Sequence, residues 1–189
     1  MMRNRHRLMA AILWAAGCGG NTEPETTLSA SLTDPAGDGG VADVVSAAID
    51  VAGNDMIVRV VFTPGSFHTD SMLVQFNLDT DENAATGYTT ANPGHVGFGI
   101  DCMIELGKYA PTTKAARVSR WSNGVFIAAA NATLSTITNG YEATVPAEAC
   151  DDDGPALLKV DAFRQLGTNS YSTRQDWAPD PGQPAIPLR

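Results

Sequence analysis

The sequence predicts an all-β protein: a two-sheet antiparallel β-sandwich of the jelly-roll or immunoglobulin-like kind. Three observations predict it. From Leu28 onward apolar and polar residues alternate with period two. No long stretch carries apolar residues at i, i+3, i+4 and i+7. Finally, 18 Gly and 11 Pro, with frequent Asn and Asp, break the chain at short intervals. Alternation gives each strand one apolar face, and many short strands joined by turns bury those faces by packing one sheet on another. A chain of 189 residues with 43% hydrophobic composition suffices for one such domain, which we place at residues 28–181.

The elements follow in order. Val45, Ala47, Ile49 and Val51 alternate with Ser46, Ala48 and Asp50, and Gly53-Asn54-Asp55 turns the chain into Met56, Val58, Val60 and Phe62, which makes a hairpin. Pro64-Gly65-Ser66 turns it again before Met72, Val74, Phe76 and Leu78, while Gln75 and Asn77 point the other way. Ile100 to Leu106 and Ala115 to Trp121 are strands. Asn123-Gly124, a pair that reaches the positive φ needed in two-residue hairpin loops, returns the chain through Phe126 to Ala130. Asn139-Gly140 likewise joins Leu134–Thr138 to Tyr141–Val145, and Pro146, with no N–H for the ladder, ends that strand. After an acidic turn at Asp151 to Asp153, Leu157 to Phe163 forms one more strand. Pro179, Pro181, Pro184 and Pro187 are too many for a sheet interior, so residues 182–189 are expected as a Pro-rich tail.

A formal charge of −9 and a pI near 4.6 leave no basic footprint for phosphates, which argues against a nucleic-acid partner. At the N-terminus, three arginines among Met1 to Arg7 precede the apolar run Leu8 to Ala16, which is too short to cross ~30 Å of hydrocarbon and has the make-up of a secretory signal. Ala15-Ala16-Gly17-Cys18 resembles the lipobox of bacterial lipoproteins, with Ala15 where that family usually has Leu. The resemblance implies that residues 1–17 are a lipoprotein signal peptide, that Cys18 is the lipidation site, and that residues 18–27 are a lipidated tether. The membrane is then a partner through the lipid anchor. The place is the bacterial cell envelope, at the outer membrane, because Gly19 stands where an inner-membrane retention Asp would be. With Cys18 acylated, Cys102 and Cys150 remain in a non-cytosolic compartment and are expected to pair as a disulfide.

The stretch Phe76-Asn77-Leu78-Asp79-Thr80-Asp81-Glu82-Asn83, followed by Thr86-Gly87-Tyr88 and Gly99-Ile100-Asp101-Cys102, is similar to secreted β-sandwich domains related to family-nine carbohydrate-binding modules and DOMON domains. Arg120-Trp121-Ser122-Asn123-Gly124, Gly140-Tyr141-Glu142-Ala143-Thr144-Val145-Pro146 and Asp176-Trp177-Ala178-Pro179-Asp180 resemble further pieces of those domains in the same order. Asp79, Asp81 and Asn83 set oxygen-bearing side chains on alternate loop positions, as calcium requires. This is no EF-hand, because Ala84 and Thr90 occupy the places of its Gly and Glu. The resemblance adds Asp101, which completes a candidate structural calcium site. Asp34-Pro35-Ala36-Gly37-Asp38 resembles the start of these domains; a turn is the expected role there, with a second ion near Asp43, Asp176 and Asp180 as the alternative.

Trp121 and Trp177 are the candidate ligand-binding residues, since flat aromatic faces stack on sugar rings, with Tyr88, Tyr141 and Tyr171 to assist. The resemblance to carbohydrate-binding modules implies carbohydrate as the ligand class. No Gly-x-Ser-x-Gly, His-Glu-x-x-His or phosphate loop occurs, and His68 and His95 stand in turn-like contexts where exposure is expected. Some DOMON relatives hold haem through Met and His, which nominates Met72, Met103, His68 and His95, although core packing is the ordinary role of such methionines. The expectation is a non-catalytic, lipid-anchored binding module. An envelope lipoprotein that is structural or binds other envelope proteins is the alternative, and a hydrolase comes third.

Overall fold

The structure, a computed structural model, describes residues 28–40, 42–110, 113–150, 154–167, 170–171 and 176–189. The signal, Cys18 and the tether lie outside the described residues, as does the turn at Asp151 to Asp153. Among those described, no helix is long and apolar enough to cross a membrane.

Two antiparallel sheets face each other. The first holds β1 (Leu28–Thr33), β2 (Val44–Ala52), β3 (Asp55–Phe62), β9 (Gly140–Pro146) and β8 (Leu134–Ile137), in that spatial order. The second runs from β10 (Ala156–Gly167) through β4 (Met72–Asp79), β5 (Cys102–Ala110) and β6 (Thr113–Ser122) to β7 (Val125–Ala132). Three short strands, β11 (Ser170–Tyr171), β12 (Asp176–Ala178) and β13 (Ile186–Leu188), pair along the outer edge of β10. Two 3-10 turns complete the set, Pro93–His95 and Ala147–Cys150.

The expected alternation holds on the inner faces: Met56, Val58, Val60 and Phe62 of β3 are buried, as are Met72, Val74, Phe76 and Leu78 of β4. Tyr141, the largest side chain sealed between the sheets, donates from its hydroxyl to the Thr69 carbonyl at 2.8 Å. In β2 Ala47, Ile49 and Val51 are buried as expected, and the phase shifts by one only at its start. The β2–β3 ladder is irregular between Val44 and Ser46, so Val44 is fully buried in place of the expected Val45. The hairpin at Asn123-Gly124 forms as expected, with φ of 51° and 85°, whereas the second turns one residue earlier than expected, at Thr138-Asn139, with Asn139 at φ of 54° and Gly140 opening β9 opposite Ile137.

The segment expected as a tail beyond the sandwich belongs to it. Ile186 and Leu188 pair with Leu158 and Ala156, and the backbones of Ser29 and Arg189 exchange two hydrogen bonds of 2.8 and 3.2 Å. Proline is tolerated because this is an outer edge, where a missing N–H leaves no interior ladder bond unmade.

Cys102 and Cys150 form a disulfide, with Cα atoms 5.4 Å apart and a sequence separation of 48. Cys102 opens β5 in one sheet, and Cys150 ends the 3-10 turn that follows β9 in the other. The bond therefore clamps the sheets together, and by the chain-entropy relation its closure contributes about 4 kcal/mol.

Candidate functional site

The excursion between β4 and β5, residues 80–101, leaves the sheet and folds back over its outer face. Its two ends are neighbours because the β4–β5 ladder pairs Leu78 with Cys102, which puts Asp79 and Asp101 on the next rung. One carboxylate oxygen each of Asp79, Asp81 and Asp101 lies within 4.8 Å of the other two. Oxygens bound to a single calcium are separated by at most about 5 Å, so the set fits such an ion. Asp101 Oδ2 accepts from the Thr80 N–H at 3.0 Å, and Asp79 Oδ1 and Asp81 Oδ1 share the Asn83 N–H, each at 3.0 Å. Burial pushes the pKa of Asp79 and of Asp101 up, and neighbouring carboxylates add to the effect at both. The side chain of Asn83 turns to its own loop, where Oδ1 accepts from the Ala85 N–H at 3.2 Å. Three of the four expected ligands thus converge by their side chains, whereas Asn83 meets them only through its backbone N–H, which donates to the carboxylates and cannot ligate a cation.

Above this base the two arms of the excursion pair through Tyr88 and Ile100, with N···O distances of 2.8 and 3.0 Å. The arms are so close that a Cβ on Gly99 would stand 2.2 Å from the Thr86 carbonyl oxygen, and one on Gly87 would stand 2.6 Å from Asp101 Oδ1. The tip is the 3-10 turn Pro93–His95, whose N-cap Asn92 accepts from the Gly94 N–H at 3.2 Å. Buried Lys159 of β10 donates to the Gly94 carbonyl at 2.6 Å, and the Trp177 ring abuts the bare Cα of Gly94. Trp177 therefore packs half-buried against the tip of the loop and does not line the pocket that lies between loop and sheet.

The outer face of the large sheet is polar where the loop covers it. Asp161, Gln75, Glu105 and Arg117 stand on one rung across β10, β4, β5 and β6. Gln75 Nε2 donates to Glu105 Oε1 at 3.0 Å, and Arg117 Nη2 to Glu105 Oε2 at 2.8 Å. Burial pushes the Glu105 carboxyl up, and those two donors pull it part of the way back. Two rungs along, on the same face, Lys159 pairs with Asn77 and Asn77 with Met103. The tip of the loop brings His95 down onto this face, where its Nε2–H donates to Asp161 Oδ2 at 3.0 Å. His95 is 4% exposed, which corrects the expectation of a surface residue. The cause is tertiary: the turn context is real, but the turn is pressed against β10.

Between loop and sheet lies a pocket of about 430 Å³, lined by Asn77, Gln75, His95 and Asp161, by Thr90 and Asn92, and by Tyr88, Ile100, Met103, Phe126 and Phe163. Asn77 Oδ1, His95 Nδ1 and Asp161 Oδ1 are sealed from bulk solvent and have no hydrogen-bond partner. Trp121 stacks its edge on Tyr88 and Phe126, with ring centroids 5.1 and 5.0 Å away, and so backs the pocket wall without lining it. Of the residues nominated for haem, Met103 and His95 line the pocket together, while Met72 lies in the core.

Fold and site together define a β-sandwich with a roofed pocket on one outer sheet face. Compared with known proteins, the chain matches no family model, no curated protein and no solved structure.

Proposed function

We propose that this chain is a non-catalytic binding module, held by lipid on Cys18 at the bacterial outer membrane, that takes carbohydrate into the pocket under the 80–101 loop. The observation that carries this reading is the pairing, in one pocket, of unpartnered buried polar atoms on Asn77, His95 and Asp161 with the aromatic rings of Tyr88 and Phe126. A sugar presents both hydroxyls and C–H faces. The hydroxyls satisfy stranded donors and acceptors, which are costly to leave unmade, while the C–H faces pack on aromatic surface. The Asp161 carboxylate in the wall favours a neutral sugar over an acidic one.

Calcium has a structural part in this reading. Held by Asp79, Asp81 and Asp101, it ties the start of the roof to its end and supplies the positive charge that three close carboxylates lack. The disulfide accords with an oxidising compartment beyond the cytosol, as the lipoprotein motif implies.

A glycan array with the purified protein tests the ligand. The expected result is saturable binding to a neutral glycan, weakened at least tenfold by His95→Ala and by Tyr88→Ala. Absence of saturable binding to any glycan would transfer the chain to the alternative, a structural or protein-binding envelope lipoprotein; turnover of a bound glycan would make it a hydrolase. Lipidation is tested by the mass of the N-terminal peptide from the membrane fraction, which Cys18→Ser should return to the unmodified, unprocessed form.

A further inference from the structure

We propose that Asp34, Asp38 and Asp180 form a second calcium site, which ties the loop between β1 and β2 to the C-terminal segment. One carboxylate oxygen of each lies within 4.8 Å of the other two, a spread that one ion with oxygen ligands at ~2.3–2.6 Å covers.

Exposed acidic groups commonly gather without an ion, but Asp34 is not one of these. It is 9% exposed, and its Oδ2 is sealed from solvent with no hydrogen-bond partner. A carboxylate oxygen kept from water and given no donor is unfavourable unless a cation compensates it. The two other acids close by are already supplied with donors. Asp43 accepts from the Gly37 N–H at 3.0 Å and from the Gly39 N–H at 3.2 Å, and Asp176 Oδ2 accepts from the Val44 N–H. Asp34 is therefore the member of this group left with capacity for a ligand.

The surroundings are arranged to hold the group shut. A Cβ on Gly39 would stand 2.9 Å from Asp176 Cγ and 2.7 Å from Asp43 Cα, so the loop backbone closes over the acids where a side chain would collide. Burial, then the charges of Asp176, Asp38, Asp180 and Asp43, push Asp34 up to about 7. A divalent cation relieves both causes, and a donor set made only of oxygen selects a hard ion. Asp34 and Asp38 lie beyond β1 of the small sheet, and Asp180 follows β12 on the edge of the large one. The ion thus joins the two sheets, independently of the 80–101 loop.

Equilibrium dialysis of radioactive calcium against the purified chain, at neutral pH, tests this. Two ions per chain are expected, falling to one in Asp81→Asn and to none when Asp34→Asn and Asp180→Asn are added. The latter two removed alone should leave one ion. In chelator, Asp34→Asn should melt at the same or a higher temperature than the parent, because it removes an uncompensated charge, and this separates lost binding from lost folding. If Asp81→Asn binds no calcium, or if Asp34→Asn with Asp180→Asn lowers calcium affinity less than tenfold at every site, the proposal is wrong. Failure of the loop site alone looks different: one ion in the parent, unchanged by Asp81→Asn.

Discussion

His95 and Asp161 meet at 3.0 Å beneath the loop, both side chains almost wholly buried, although 66 positions separate them in the chain. Removing one member of such a pair leaves the other buried without compensation. His95→Ala should therefore cost about 3 kcal/mol of stability, as a lower urea midpoint, whereas Asp161→Asn, which keeps an acceptor for the imidazole N–H, should cost about 1 kcal/mol. Equal effects would mean that the pair does not hold the loop.

The roof should be intolerant of side chains at its base. Gly99→Ala puts a Cβ against the Thr86 carbonyl, a backbone group that cannot swing aside, and overpacking of this kind costs about 1–3 kcal/mol. The variant should lose glycan binding more than it loses global stability, measured by array titration and thermal melting side by side.

Calcium should raise the melting temperature. At a hundred times its dissociation constant an ion adds about 2.7 kcal/mol per site, or ~5–10 °C for a chain of this size. Asp81→Asn should remove the loop's share of that rise, and a melt unaffected by chelator in the parent would end the calcium reading.

Metal-free protein should lose stability as pH rises. Asp34 is pushed up to about 7 and Asp176 to about 6, both above the ordinary carboxyl value of 3.8, so the folded state binds protons more tightly than the unfolded one. The stabilisation is complete below pH ~4 and is lost by about pH 7. Melting curves in chelator across this range should fall, and Asp34→Asn should flatten the fall.

Reduction should be slow while the protein is folded, since Cys102 and Cys150 are 0% and 3% exposed. Replacing both by Ala should cost about 4 kcal/mol, read from denaturant midpoints.

The inner faces of the sandwich were legible because each is written locally. Met56 to Phe62 and Met72 to Leu78 alternate within a few residues, and Asn-Gly pairs mark two hairpins. What escaped depends on pairing across distance. The irregular rung that buries Val44 instead of Val45 is a property of two strands, and Ile186–Leu188 of the expected tail join the sheet because β10 offers an edge. Asp79 and Asp81 were legible from their alternate loop positions, and Asp101 from the family resemblance alone; the ladder that brings Asp101 to them is a property of the fold. The pocket was not legible, because its polar residues come from β4, β10 and a loop tip. A faint signal existed: Asn77, Glu105, Lys159 and Asp161 each interrupt an apolar strand on its outward face, on strands that are adjacent in the sheet.

The close approach at Gly87 and Gly99 decides where this architecture can change its taste. Those positions admit no side chain, and Asp79, Asp81 and Asp101 serve the hinge of the roof, so the base of the loop is fixed by its own construction. Ala91, exposed on the arm that leads to the tip, meets no such restriction, whereas Thr90 accepts from the Asn92 N–H and Asn92 caps the turn. An engineer altering the pocket should begin at Ala91 and leave the frame untouched.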